Sequence, residues 1–428
     1  MRLIRRRQRD KRAAPPSASP VKGVDRMEVV RSLCAIKGRL AGTDAERRAG
    51  NMLAKRLADT GRKVRVEPTY VHPQAPLVIA AHVAIAFAGS LVAVAEPVVG
   101  FALVLFAATS LYLDLNARIY LLRSLFFRRA SQNVVSPGAK PDAPARVLLV
   151  AHYDAAKTGM IFKPKNAERL HSLTSFLPFP HTRLVFWSVA VMLPMLGARM
   201  VGIESDGIAL LQLPPTLMLL VSIFLLVDIQ LSDVVPGAND NASGVAVAMS
   251  VAEALDLKPA ANLDVWIVLT GGEECGSEGM RSFARAHRKS LDPPTTYVVA
   301  IDSVGAGDIR YVASEGLAVS FEMDRRLLEL CDAVAEADRE GENRYDAAPI
   351  RHGYTSDALA ARVNRLRATA ITCLEPGAIA PARYHTPADL PDALDERSME
   401  RAHDFVLDLI RAIDRDAARS RTGASAPG

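Results

Sequence analysis

The stretch VWIVLTGGEECGSEG (residues 265–279) ends an apolar run on two adjacent carboxylates, Glu273 and Glu274. Two negative charges side by side at the mouth of a buried strand repel, and loss of water makes the repulsion worse. Either a cation sits beside them or one of them holds a proton. Other acids and imidazoles occupy comparable places. His152 and Asp154 end VLLVAHYDA, Asp240 stands in VVPGANDNASG ahead of a helical stretch, Asp302 ends VVAIDSVG, and His385 lies in PARYHTPADL. Taken singly each has an ordinary use: a helix N-cap for Asp240, a turn for Asp302, a structural hydrogen bond for either histidine. As a set, His152, Asp240, Glu274, Asp302 and His385 offer the imidazole and carboxylate donors that suit a pair of divalent ions. Such ions acidify a shared water and polarise a carbonyl, and a neighbouring carboxylate carries the proton to the leaving group.

These residues need strand ends to hold them. NVVS, RVLLVAHY, LDVWIVLT, TTYVVAID and ATAITCLE read as strands, and KVRVEP alternates like one. Helical spacing runs over 26–60, with a turn at GRLAGTDAE, and again near 243–256, 277–288, 318–338 and 395–415. Strands alternating with helices predict an α/β fold, a mixed, mainly parallel sheet flanked by helices, with ligands at the strand ends. DLPDALD, near the end, reads as a solvated acidic turn.

Two regions break this pattern. From Leu77 to Leu113 the only residues able to carry charge near neutral pH are His82 and Glu96, and Pro97 divides the run into two spans of about 18–20 residues, the length a bilayer needs. RIYLLRSLFFRR (118–129) follows as a basic amphipathic segment suited to a membrane surface. A second pair occupies 184–203 and 208–227, with Arg199 placed to snorkel. The reading is two inserted transmembrane hairpins, 77–115 and 184–228, in a discontinuous domain over 25–415. A disordered basic segment (1–24) precedes it and a loose polar tail (416–428) follows.

The chain has 428 residues, 50% of them hydrophobic, and a net charge of +5. MRLIRRRQRDKR is basic but has no aromatic-basic module beside it, so no nucleic-acid partner is expected. Cys34, Cys275, Cys331 and Cys373 lie far apart without a CxxC spacing, which fits a reducing compartment rather than a disulfide framework. No cleavable signal peptide is visible. Basic residues flank the spans on the side of the motifs (Arg118, Arg123, Arg128, Arg129, Lys163, Lys165, Arg169, Arg183), whereas Arg199 is the one basic residue opposite. That bias places the site on the cytoplasmic side of a multi-pass cell-membrane protein, with membrane lipid as a partner.

HYD, GANDNASG, GGEECGSEG, ID and YHTPAD, in this order, resemble the M28 family of co-catalytic zinc aminopeptidases, as does the early GRLAGTDAERRAGNMLAKRLADTGRKVRVEP. The resemblance covers roughly 26–70, 131–158 and 231–415. It implies two Zn²⁺ ions and a peptide substrate cleaved at its N-terminus. His152 and Asp302 would bind one ion, Glu274 and His385 the other, with Asp240 between them. Glu273 would be the general base, and Asp154 would orient His152. Two departures stand out. About 85 residues separate Asp154 from Asp240, where the family has a short loop. TSDALA (355–360) carries Ala358 where the family often has histidine, which leaves the metal set complete and puts the pocket in doubt. His352 and Tyr354 are candidates to line that pocket, and Cys275 reads as a packing residue.

Overall fold

The computed structural model describes residues 23–203 and 206–423; the basic segment at the start lies outside them up to residue 22. α1 (Arg26–Ala35) and α2 (Asp44–Asp59) open the chain, capped by Asp25 and Thr43, whose side chains accept the N–H of Glu28 and Glu46. β1 (Arg65–Val71) leads to α3 (Ala75–Val92) and α4 (Pro97–Leu115), and β2 (Arg129–Ser136) and β3 (Ala145–His152) return to the sheet. α5 (Pro164–Thr174), α6 (Leu184–Ala190), α7 (Met192–Met200) and α8 (Asp206–Leu231) precede α9 (Gly244–Leu257) and β4 (Leu263–Thr270). Then come α10 (Glu278–Ala286), β5 (Thr296–Ile301), β6 (Asp308–Glu315), β7 (Phe321–Glu322) and α11 (Arg325–Glu340). β8 (Ala348–Arg351), α12 (Asp357–Val363), β9 (Arg367–Leu374) and α13 (Glu396–Gly423) complete it.

The strands form one sheet in the order β1-β2-β4-β3-β5-β9-β6-β7, with β8 on β6. The central four, β4-β3-β5-β9, are parallel, and β1, β2, β6 and β7 add antiparallel edges. Every residue of β4 and β5 is buried, as their unbroken apolar runs require when helices cover both faces. Val147 and Leu149 pack toward α9 and α13, and Leu148 and Val150 toward α10 and α12.

The mixed, mainly parallel α/β sheet is therefore the one expected, with three local differences. β6, β7 and β8 have no counterpart in the sequence reading, because DIRYVASE and APIR interleave charge with apolar residues as edge strands do. The helix expected from 318 begins at Arg325: Phe321 and Glu322 pair with β6, and Asp324 caps α11 by accepting the Leu327 N–H. The tail expected to be loose from 416 is helical to Gly423, with Asp416 accepting hydrogen bonds from Arg326 Nε at 3.2 Å and Tyr297 at 3.4 Å.

Four helices among the described residues are long and apolar enough to cross a membrane: Ala75–Val92, Pro97–Leu115, His181–Met200 and Asp206–Leu231. The third is interrupted between α6 and α7. α3, α4, α6, α7 and α8 share one apolar cluster around Val83, Val104, Phe186, Leu196 and Leu219. His82 Nε2 meets Ser110 Oγ at 2.8 Å across α3 and α4, and Ser90 Oγ meets Thr216 Oγ1 at 2.7 Å across α3 and α8. Gly89 lets α4 approach closely, since a Cβ there would stand 2.9 Å from Leu103 Cβ. Only 22% of the most apolar window of α8 is buried. Leu210, Leu217 and Phe224 are exposed, so much of this helix's apolar surface is left uncovered by the rest of the chain.

The basic segment 118–129 is tied to the domain at Arg123. It makes a 3₁₀ turn over Leu122–Leu125 and enters β2, and its Arg123 is only 3% exposed. Arg123 donates to both oxygens of Asp114, in the last turn of α4, at 2.6 and 2.9 Å, and to the Cys275 carbonyl at 2.5 Å. Glu278 joins it at 3.4 Å and also accepts from the His72 backbone N–H. Arg183 is likewise an internal residue, donating to Gly316 O at 2.9 Å and to Ser320 Oγ at 2.8 Å. Neither arginine is free to act as a surface charge. A buried ion pair is destabilising mainly when one partner is lost, typically by about 3–5 kcal/mol. Asp114→Ala should therefore lower the thermal unfolding midpoint of the detergent-purified protein markedly, whereas Asp114→Leu with Arg123→Met should recover much of the loss. An unchanged midpoint in Asp114→Ala would show that this junction does not hold the hairpin to the domain.

Candidate metal centre

All seven candidate residues gather at the C-terminal edge of the parallel strands. His152 is the last residue of β3, and Asp154 follows it. Glu273 and Glu274 lie in the turn after β4, Asp302 directly after β5, and His385 in the loop after β9. Asp240 sits in an irregular turn ahead of α9, where Asp240 and Asn241 depart from helical geometry and the peptide bond between them is cis.

Asp240 faces a histidine with each oxygen. Oδ1 is 3.2 Å from His152 Nε2 and Oδ2 is 3.4 Å from His385 Nε2. Asp302 Oδ2 is 3.8 Å from His152 Nε2, and Glu274 Oε2 is 3.4 Å from His385 Nε2. Three triplets have donor atoms within 4.8 Å of one another: His152–Glu273–Glu274, His152–Asp240–Asp302 and Asp240–Glu274–His385. The last two share Asp240. Glu273 Oε1 accepts from Ser277 Oγ at 2.9 Å.

The donor set fits a cationic metal. Among the described residues no lysine or arginine forms an ion pair with Asp240, Glu273, Glu274 or Asp302. Glu274 Oε1 and His152 Nδ1 are buried without a hydrogen-bond partner, although Nδ1 faces Asp154 Oδ1 at 3.5 Å. Burial, reinforced by the surrounding acids, pushes the Glu273 and Glu274 carboxyls well above the usual range. Burial disfavours a charged His152, but Asp154, Asp240 and Asp302 outweigh it and raise the imidazole. A divalent ion among these ligands inverts that balance by supplying the missing positive charge.

Two acids and one base hold the loops of the cluster. Asp154 accepts the N–H of Glu273 and of Glu274, each at 3.1 Å. Asp389 is 1% exposed and accepts the N–H of Asn239 at 2.7 Å and of Asp240 at 3.1 Å. The solvated reading of DLPDALD is therefore wrong for its first residue: Asp389 fixes the loop that carries Asp240. Arg39 donates to Tyr153 O, Gly237 O and Leu33 O, tying the His152 and Asp240 loops to α1. Neither residue has a spacing signal; each is recognisable only by what the fold brings to it.

His352 and Tyr354 line a cavity with Asp240, Asp302 and Glu315, and burial lowers the His352 imidazole to about 4. Tyr384 stacks on His385 at 3.8 Å, Tyr354 lies tilted against Tyr384 at 4.7 Å, and Phe162 lies edge-on to His385 at 4.7 Å. Ala358 does not border this space. It is fully buried with Val150 and Val268 beneath α12, so the missing histidine bears on core packing rather than on the pocket. Cys275 is buried with Val71 and Ala75.

A cluster of carboxylates and imidazoles at the ends of parallel strands suits divalent metal ions. Residues 227–410 match the family profile described as Peptidase family M28. Solved structures of the same fold include a Zn-dependent exopeptidase from Parabacteroides distasonis, at 15% identity and a TM-score of 0.51 over 91% of this chain and 99% of that one. A leucine aminopeptidase precursor from Bacteroides thetaiotaomicron, at 14% identity and 0.51, covers 91% and 98%. A glutaminyl cyclase from the same organism gives the same values. At such identities the likeness shows the fold. No curated protein matches the chain.

Removing a group that holds a ligand loop typically costs about 10–100-fold in metal affinity. Asp389→Ala should weaken zinc retention by that order in a chelator competition. Retention equal to the parent's would show that Asp389 does not position Asp240.

Proposed function

We propose that the chain is a membrane-anchored di-zinc aminopeptidase with its site on the cytoplasmic side. The observation that carries the reading is Asp240, whose two oxygens face His152 and His385 in opposite directions. His152 and Asp302 would hold one ion, Glu274 and His385 the other, with Asp240 available to both. Bound there, the ions acidify a water and polarise the scissile carbonyl. Glu273 takes the water's proton and passes it to the departing amine. Its burial and its bond from Ser277 hold the carboxylate toward the cavity. Asp154 keeps Glu273 and Glu274 in register through their backbone N–H groups. Asp240, Glu274 and Asp302 give a substrate's free ammonium anionic partners. The fold shared with exopeptidases supports the reaction, and the four apolar helices support anchoring.

Glu273→Gln should retain zinc at the parent's stoichiometry and lose about 10²–10⁴-fold in turnover, the usual cost of a general base. Turnover at the parent rate would remove Glu273 from that role. Acetylating the substrate's N-terminus should abolish cleavage, and equal rates on free and acetylated peptides would instead indicate an endopeptidase or amidase. A free N-terminal glutamine that releases ammonia with no peptide cleavage would indicate a cyclase.

The orientation rests on Arg118, Arg128, Arg129, Lys163, Lys165 and Arg169 on the domain side of the helices, against Arg199 at the far end. In a Cys34→Ser background, Val201→Cys should react with an impermeant thiol reagent in intact cells and Ala139→Cys only after lysis. Both positions are exposed. The reverse pattern would invert the topology.

A further inference from the structure

Taking the aminopeptidase reading as its basis, we infer that the cleft faces the bilayer and that its substrate is the free N-terminus of a membrane-inserted polypeptide, received at headgroup depth. The domain-side ends of α3, α4 and α8 join segments beside the candidate metal ligands, and α6 begins against the loop after β6. α4 ends at Asp114, which Arg123 connects to the Cys275 carbonyl beside Glu274. α8 ends with Asp228 accepting the Met160 N–H at 2.5 Å, and two residues on Phe162 covers His385. α6 begins after Arg183, bound to Gly316 O, and Ala318 of the same loop packs into the helical bundle.

The cleft wall repeats this arrangement. A cavity of ≈ 180 Å³ has Glu273, Glu274 and His385 on one side and Ala75, Ile79 and Leu115 of the first hairpin on another. The same helices that would cross the membrane therefore form part of the surface a substrate touches. The segments running out of α4 and into α6 expose large apolar side chains, Leu125 at 79%, Phe127 at 61%, Leu173 at 72% and Phe176 at 81%. These alternate with Arg128, Lys163, Lys165 and Arg169, the composition of a segment lying in an anionic headgroup layer. That layer is about 5–7 Å thick on each side of the hydrocarbon. A chain emerging from the bilayer meets the cleft within a few residues, and its apolar flank continues along Ile79 and Leu115.

The test uses the full chain reconstituted in vesicles of zwitterionic and anionic phospholipid. Substrates share one free N-terminal sequence, joined by Gly/Ser spacers of about four or about sixteen residues to an apolar helix of about 20 residues. A soluble peptide with the same N-terminus is the reference. About four extended residues reach ~13 Å. If the cleft lies at the surface, the short tether also concentrates the substrate, so its peptide is cleaved at least as fast as the long-tethered one, by up to about eightfold. Slower cleavage of the short-tethered peptide, with the long-tethered and soluble ones still processed, overturns the membrane-facing cleft and leaves the peptidase reading intact. Absence of cleavage of all three overturns the peptidase reading itself, and this inference with it. Cleavage of the soluble peptide alone overturns the membrane substrate.

Discussion

Five carboxylates and two imidazoles share one largely water-poor edge of the sheet, and the rest of the structure answers to that concentration of negative charge. Asp154, Asp240, Glu273, Glu274 and Asp302 repel one another at short range, and burial weakens the screening that water would provide. Bound cations would be one half of the compensation. The other half is backbone: Asp154 collects two N–H groups from the Glu273–Glu274 turn and Asp389 collects two from the Asn239–Asp240 turn. Each of these acids satisfies buried donors that would otherwise be unpaired, and each thereby fixes a loop whose side chains must point at a common centre. Arg39 does the converse work, supplying three donors to carbonyls of the same loops.

Parallel strands make such convergence possible. β3, β4, β5 and β9 run in one direction, so the turns that follow them open on the same edge, and residues far apart in sequence become neighbours. Because the turns lie outside the ladder, insertions there leave the hydrogen-bond register untouched. The first hairpin enters between β1 and β2, whose antiparallel pairing brings the two ends of the insertion together. The second enters between Asp154 and Asp240 and returns through α8. Both insertions start from the edge that holds the metal ligands, so the apolar bundle is built over the site and not on the remote side of the sheet.

The junction between bundle and domain is polar, and that has an energetic consequence. Arg123 and Asp114 leave water together, with Glu278 and the Cys275 carbonyl as further partners. Apolar residues of similar volume would bind the two parts as well. Directional donors instead specify how the end of α4 stands relative to the Glu274 turn, which a greasy contact leaves free to slide.

That the candidate residues gather at one edge was legible in the sequence because most of them follow strands directly: His152, Glu273, Glu274 and Asp302 each end an apolar run, and Asp240 and His385 lie in turn-rich segments. The four membrane-length helices were legible for a related reason, since runs of uncharged residues carry their own signal. Asp389, Arg39 and Arg123 were not. An acid in a Pro-rich turn and an arginine after a membrane-length run look solvated when only near neighbours in the chain are considered. What buries them are partners 114 residues away for Arg39, 149 for Asp389 and 152 for Arg123. Local pattern determines which segments become strands, helices and membrane-length runs. Only tertiary packing decides which charged side chains end up inside, because desolvation and pairing depend on groups the chain brings together through the sheet.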